Sequence, residues 1–252
     1  MKNRATDLIR RLINSRASSF ATFIQVERAE RLFYLEFLRE GMTVFDVGAN
    51  IGELTLMFSR FVEPGGCVHA FEPSGVSFER LAAICTAASL RNVQLNSIAL
   101  AEKEGTVTLH SYGEDYLSWT SQALRPLESY GIDVRPISSE EAPATTLDVY
   151  CEKNRIESID LLKVDVEGAE FQVLLGARRM LEARRVRCIA FEFGQTTFDM
   201  DNDPNEIEAY LKGLGYVLRN VVEKDPVFPG RESPQTACFS MHLATPAATK
   251  FT

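Results

Sequence analysis

Ten residues, Thr43-Val44-Phe45-Asp46-Val47-Gly48-Ala49-Asn50-Ile51-Gly52, restrict the possible folds of this chain more than any other stretch. A short apolar run closes on an acid and passes into a turn bracketed by two glycines. Behind it Leu54, Leu56, Met57, Phe58 and Phe61 recur at roughly helical spacing. Strand, glycine turn and helix in that order open a nucleotide-binding α/β unit. Gly48 and Gly52 permit positive φ and let a ligand approach bare backbone. The following helix directs its free N–H groups toward the same spot.

The spacing of the turn selects among ligands. A dinucleotide fingerprint requires G-x-G-x-x-G, whose middle glycine makes room for a pyrophosphate. Here the pattern is G-x-x-x-G, and Asp46 stands immediately before it. A carboxylate in that place repels a pyrophosphate and suits a ligand with positive charge. S-adenosylmethionine (SAM), with a sulfonium, an ammonium and no phosphate, is such a ligand. The plainer alternative is an ordinary strand–helix turn with a capping Asp.

A chain of 252 residues with 45% hydrophobic content fits one α/β domain with decoration. Its net charge of -8 argues against a general nucleic-acid binder, because no basic excess is available to neutralise phosphates. The five cysteines are scattered, without a C-x-x-C pair. They read as reduced thiols in a reducing compartment, with the cytoplasm as the default location. No apolar run is long enough to span a bilayer, and no signal peptide is evident.

Residues 1–40 read as an N-terminal helical cap, and 41–252 as the ligand-binding domain. Leu8, Ile9, Leu12 and Ile13 form an apolar stripe among Lys2, Arg4, Arg10, Arg11 and Arg16. A cap helix packed on the domain, or a frayed terminus, explains this better than a basic amphipathic anchor or a targeting peptide, since the stripe is short and Asp7 interrupts the charge. A second helix is expected near Phe23 to Arg39, with Gly41 as its stop.

Further along, Pro64-Gly65-Gly66 marks a turn, and Cys67 to Phe71 reads as a second strand ending at Glu72-Pro73. Glu72 falls 20 residues after Gly52, near where such folds place a carboxylate on ribose hydroxyls. Backbone near Ala99 and Leu100 is a candidate for the adenine edge. Thr106 to His110 alternates like a strand. Residues 111–142 read as a long, substrate-facing insertion with Tyr112, Tyr116 and Trp119 as candidate contacts, or as an irregular surface loop.

A second dense stretch runs from Ile159 to Glu170. Leu161 to Val164 is a buried strand with Lys163 inside it, closed by Asp165, with Glu167 and Glu170 nearby. Glu170 fits the first turn of the next helix. Arg187 to Phe191 is another strand and delivers Glu192 to the same edge. In open α/β sheets that edge is where ligands bind. Tyr216 to Leu218 and Ala237 to His242 resemble two closing strands. His69 lies inside a strand, and His110 and His242 fall in or near strands, so each reads as core or surface rather than catalytic.

Three motifs together, Asp46 to Gly52, Phe71-Glu72-Pro73 and Leu162-Lys163-Val164-Asp165-Val166-Glu167-Gly168-Ala169-Glu170, resemble the FkbM-type SAM-dependent methyltransferases over roughly residues 43–218. The resemblance implies an α/β, Rossmann-like class I methyltransferase fold, with a seven-stranded sheet parallel except for its last strand. It implies O-methylation of a hydroxyl on a small-molecule or glycan acceptor: a sugar, a glycan or a natural product. By motif match Asp46, Gly48, Asn50 and Gly52 belong to the SAM turn and Glu72 to the ribose.

An aliphatic hydroxyl needs a base or a metal before it attacks. Asp165 is the expected base or hard-metal ligand. Related O-methyltransferases hold a divalent ion on strand-end acids, which would put Asp165 and Glu192, helped by Glu167, on Mg²⁺ or Ca²⁺. Two other readings are a nicotinamide-dependent oxidoreductase, disfavoured by the missing fingerprint, and a catalytically silent SAM-binding module.

Overall fold

The structure, a computed structural model, describes residues 20–247. The expected basic helix around Leu8 to Arg16 lies outside the described residues. Among the described residues the first helix, α1 (Phe23–Phe37), is followed by β1 (Thr43–Val47), α2 (Glu53–Val62), β2 (Cys67–Phe71), α3 (Gly75–Ala87) and β3 (Val93–Asn96). Then come β4 (Ala99–Leu100), β5 (Gly105–Ser111), two short 3-10 turns and β6 (Ser138–Thr145). The second half runs α4 (Leu147–Asn154), β7 (Ile159–Val164), α5 (Glu170–Leu175), α6 (Arg178–Glu182), β8 (Val186–Phe193), α7 (Gln195–Asp199), α8 (Pro204–Gly213), β9 (Tyr216–Asn220) and β10 (Ser240–Pro246).

Seven strands form one sheet in the order β3-β2-β1-β7-β8-β10-β9. Only β10 runs antiparallel to its neighbours, as the family resemblance implies. The order reverses beside β1, so the carboxyl ends of β1 and β7 flank the switch-point crevice where such sheets bind ligands. Two apolar layers cover the sheet. Phe45, Val47, Leu162 and Val164 face one of them. Val44 and Leu161 face the other, which α1 and α2 close with Val26, Tyr34, Phe58 and Val62. The central strands are therefore buried on both sides, which is why they read as unbroken apolar runs.

Two expectations need correction. Gly41 does not stop α1, which ends at Phe37 with an extended Leu38 cap; Gly41 instead sits in the turn before β1 with φ +81°. The insertion is also shorter than 111–142. Residues 138–145 form β6, which pairs along its length with β5 and, in parallel, with β4 in a separate three-stranded sheet. The segment Ser138 to Thr145 carries no apolar alternation because most of it is exposed; its strand character comes from its partner. Among the described residues no helix is long and apolar enough to cross a membrane.

Candidate active site

The site is built at the carboxyl ends of β1, β2 and β7. Asp46 and Lys163 are register partners on adjacent parallel strands, so their side chains emerge on the same face. Asp46 is wholly buried. Its Oδ1 lies 3.2 Å from Lys163 Nζ, and its Oδ2 accepts from Thr55 Oγ1 at 2.6 Å. Lys163 Nζ also donates to the Gly48 carbonyl at 2.8 Å and lies 3.6 Å from Asp165 Oδ2. Burial works against the ammonium's charge, but Asp46 and Asp165 outweigh it and hold Lys163 above its ordinary value. Lys163 thus ties β1 to β7 directly beneath the glycine turn.

The turn is held just as closely. Gly48 and Ala49 N–H both donate to the Phe71 carbonyl, and the Asn50 N–H donates to Glu72 Oε2 at 2.8 Å. Glu72 Oε1 accepts from the Ser74 N–H at 2.9 Å. Burial pushes Glu72 up to about 7, and the two backbone N–H groups restrain the rise. Gly48 needs its lack of a side chain: its φ is +77°, and a Cβ there would lie 1.8 Å from the Asp165 carbonyl oxygen.

One crevice gathers most of the expected residues. Gly48, Asn50, Glu72, Ala99, Leu100 and Asp165 line it together. Asp46 and Gly52 do not. The Asp46 carboxylate is wholly buried and engaged by Lys163 and Thr55 beneath the floor. At Gly52 a Cβ would meet Leu81 Cδ1 at 2.7 Å, so this glycine lets α2 and α3 pack. In the 111–142 segment the residues that reach the crevice are Leu117, Ser118 and Thr120 to Gln122. Tyr112, Tyr116 and Trp119 brace that wall instead. The Tyr112 hydroxyl accepts from the Arg125 N–H, and Tyr116 and Trp119 pack against each other with tilted rings 4.9 Å apart. Their hydroxyl and aromatic types resembled contacts, but only packing reveals which side they face.

The crevice carries unmet polar atoms. Asn50 Oδ1 and Thr120 Oγ1 are buried without a hydrogen-bond partner among the described residues. A buried acceptor left unpaired costs about 1–3 kcal/mol, so both atoms fit a ligand with donors and acceptors of its own. An adenosine bearing a methionine tail supplies them, over the apolar floor of Ile98, Ala99 and Leu100.

Beside the crevice, carboxylate oxygens of Asp165, Glu167 and Glu192 lie within 4.8 Å of one another. Burial first, then Asp165 and Glu167, hold Glu192 well above the usual carboxylate range. Burial also drives Glu167 up to about 8 against the pull of Arg125, whose Nη1 is 3.3 Å away. Arg125 and Lys163 offset part of this negative charge from one side each, and an all-oxygen set suits a hard divalent ion. The residues therefore fit the divalent ion expected by analogy with related O-methyltransferases, with Glu167 shared with Arg125. Glu170 stands apart, accepting from the Val166 and Gly168 N–H groups at the start of α5. No histidine lines the crevice. His69 pairs with the Tyr150 hydroxyl, and buried His242 accepts from the Phe228 N–H.

The family description "Methyltransferase FkbM domain" matches residues 46–218. Over 221 residues the chain is 32% identical to the 31-O-demethyl-FK506 methyltransferase FkbM of Streptomyces tacrolimicus, covering 79% of this chain and 81% of that protein. It is 29% identical over 153 residues to the 2-O-methyltransferase NoeI of Sinorhizobium fredii, covering 56% and 60%. A solved structure described as an rRNA methylase of Clostridium thermocellum shares the fold, with TM-score 0.50, 12% identity and coverage of 89% and 97%.

Proposed function

The chain belongs to the FkbM methyltransferase family and is a SAM-dependent methyltransferase, and from this we propose that it methylates a hydroxyl oxygen on a sugar, glycan or natural-product acceptor. The observation that carries the reading is Asp165. It lines the crevice, its side chain is 38% exposed, and it stands where the donor turn meets the acid cluster. The printed names of two relatives, a 31-O-demethyl-FK506 methyltransferase and a 2-O-methyltransferase, point the same way. The missing fingerprint and the family membership leave the nicotinamide reading without support.

Methyl transfer from a sulfonium is an in-line displacement, so the work of the protein is alignment and proton removal. In this reading Glu72 takes the ribose hydroxyls with the lone pairs left after its two backbone bonds. Gly48 and Asn50 hold the methionine part, and the backbone near Ala99 and Leu100 meets the adenine. Asp165 accepts the acceptor's proton, while Lys163 fixes one of its oxygens. In the alternative role for Asp165, it would with Glu192 and Glu167 hold a divalent cation, which when bound would lower the proton affinity of the hydroxyl.

Two outcomes are expected. Asp165→Asn lowers kcat by about 10²–10⁴-fold, the usual contribution of a general base, with the SAM dissociation constant little changed; an unchanged kcat would clear Asp165 of a catalytic part. EDTA abolishes turnover and Mg²⁺ restores it, whereas undiminished turnover in chelator removes the cation from the reaction. The acceptor class is tested by incubating enzyme and SAM with candidate hydroxylated compounds and reading a one-methylene mass gain. Methylation confined to nitrogen or carbon centres would overturn the oxygen assignment.

A further inference from the structure

One wall of the crevice, Leu117 to Gln122, comes from a segment outside the large sheet. On one side it is anchored through backbone. The His110 N–H donates to the Ser121 carbonyl at 2.8 Å, and the Ser121 N–H donates to the His110 carbonyl at 3.3 Å. This bridge fastens the wall to β5 beside Leu109, which lines the same crevice. Ser121, Ala123 and Leu127 are buried as the chain leaves the wall.

On the other side a side chain does the anchoring. Arg125 reaches from this segment to the rim of the large sheet. Its Nη1 lies 3.3 Å from Glu167 Oε2, in the loop after β7, and its Nε lies 3.3 Å from Asp199 Oδ2, at the end of α7. Its guanidinium also sits 5.6 Å from the centre of the Trp119 ring, within cation–π range and immediately before Thr120. The side chain of Arg125 is 10% exposed and that of Asp199 1%. A pair buried this deeply is weak ground for stability, because desolvation offsets much of the attraction; what it fixes is where the segment lies. The planar guanidinium meets two acids from two nitrogens and lies against a ring at once, whereas a lysine ammonium is a single point.

We propose that Arg125 is a positioning residue that latches the Leu117 to Gln122 wall over the crevice, so that Thr120 meets the methyl donor. This rests on the donor site proposed above and deepens it, making the wall a donor-binding element rather than part of the acceptor site. The wall shares its crevice with Glu72, Ile98, Ala99 and Leu100. Thr120 Oγ1 is buried with no hydrogen-bond partner among the described residues, and a hydroxyl both donates and accepts. A ligand over that floor supplies the missing partner.

The test is a double-mutant cycle read by calorimetric titration with S-adenosylhomocysteine. Thr120→Val keeps the shape of the side chain and removes its hydroxyl. Arg125→Lys keeps the positive charge but does not span both acids. Thr120→Val is expected to weaken S-adenosylhomocysteine by about 2–10-fold, as for one lost hydrogen bond. Arg125→Lys is expected to weaken it by about tenfold, and adding Thr120→Val to that variant costs nothing further. Losses that combine independently overturn the proposal and leave Arg125 a counter-charge for Glu167 and Asp199. Unchanged affinity in either single variant overturns it as well, and for Thr120→Val returns the wall to the acceptor side. Wild-type protein that does not bind S-adenosylhomocysteine refutes the donor site itself, and this proposal with it. If Arg125→Lys does not fold, Asp199→Asn, which keeps the side-chain volume and loosens one arm of the latch, goes through the same cycle with the same criteria.

Discussion

Lys163→Met is expected to lower folding stability by about 3–5 kcal/mol, the range for breaking a buried ion pair by removing one partner. Met keeps the length of the side chain but removes its charge and its hydrogen bonds. Asp46 is then left wholly buried with only the Thr55 hydroxyl on Oδ2. The Gly48 carbonyl loses its ammonium donor as well. Urea unfolding reads the loss as a fall in midpoint at constant slope. The double variant Lys163→Met with Asp46→Asn is expected to recover part of the stability, because it removes the stranded charge along with its partner. A loss below about 1 kcal/mol, the worth of an exposed pair, would mean that Asp46 finds another way to be neutralised.

Gly48→Ala is expected to lower SAM affinity by at least about 100-fold, equivalent to roughly 3 kcal/mol, and to lower the melting temperature. Two penalties combine. A non-glycine residue at positive φ costs about 1–2 kcal/mol, and the new Cβ would sit 1.8 Å from the Asp165 carbonyl oxygen. That oxygen is backbone, tied down through the Asp165 N–H to the Val47 carbonyl at 3.1 Å. Relief therefore requires the ends of β1 and β7 to separate, which spreads the crevice between them. Gly65→Ala is the control. Its φ is +88°, and a Cβ would meet nothing within 4 Å, so only the backbone penalty applies and SAM binding persists. Calorimetric titration of both variants with SAM decides the matter; equal affinities would show that the approach of the two strands is dispensable.

How far the residues spoke for themselves differs from element to element. The central strands were legible because burial on both faces demands an unbroken apolar run, as in Leu161-Leu162. Strand β6 was not, because Ser138 to Thr145 is mostly exposed and owes its conformation to pairing with β5. Glu72 was legible from its distance to the glycine turn, which is a local property. The 111–142 segment was expected to face the substrate, but Leu117, Ser118 and Thr120 to Gln122 went unnamed as its lining, because the conspicuous Tyr116 and Trp119 beside them turn to each other.

Taken alone, the chain of residues determined the class of fold, the glycine turn and the succession of acids at strand ends. Each of these follows from periodicity or from spacing within a short segment. Only the tertiary structure decided which acids remain available to a ligand. Asp46 and Asp165 look alike in sequence, each closing an apolar strand. Their fates diverge because register places Lys163, 117 positions away from Asp46, directly beside it. One carboxylate is paired in the core, while the other, at the rim, lines the crevice. Charge state depends on burial and on neighbours across the sheet, and neither is a property of the local sequence.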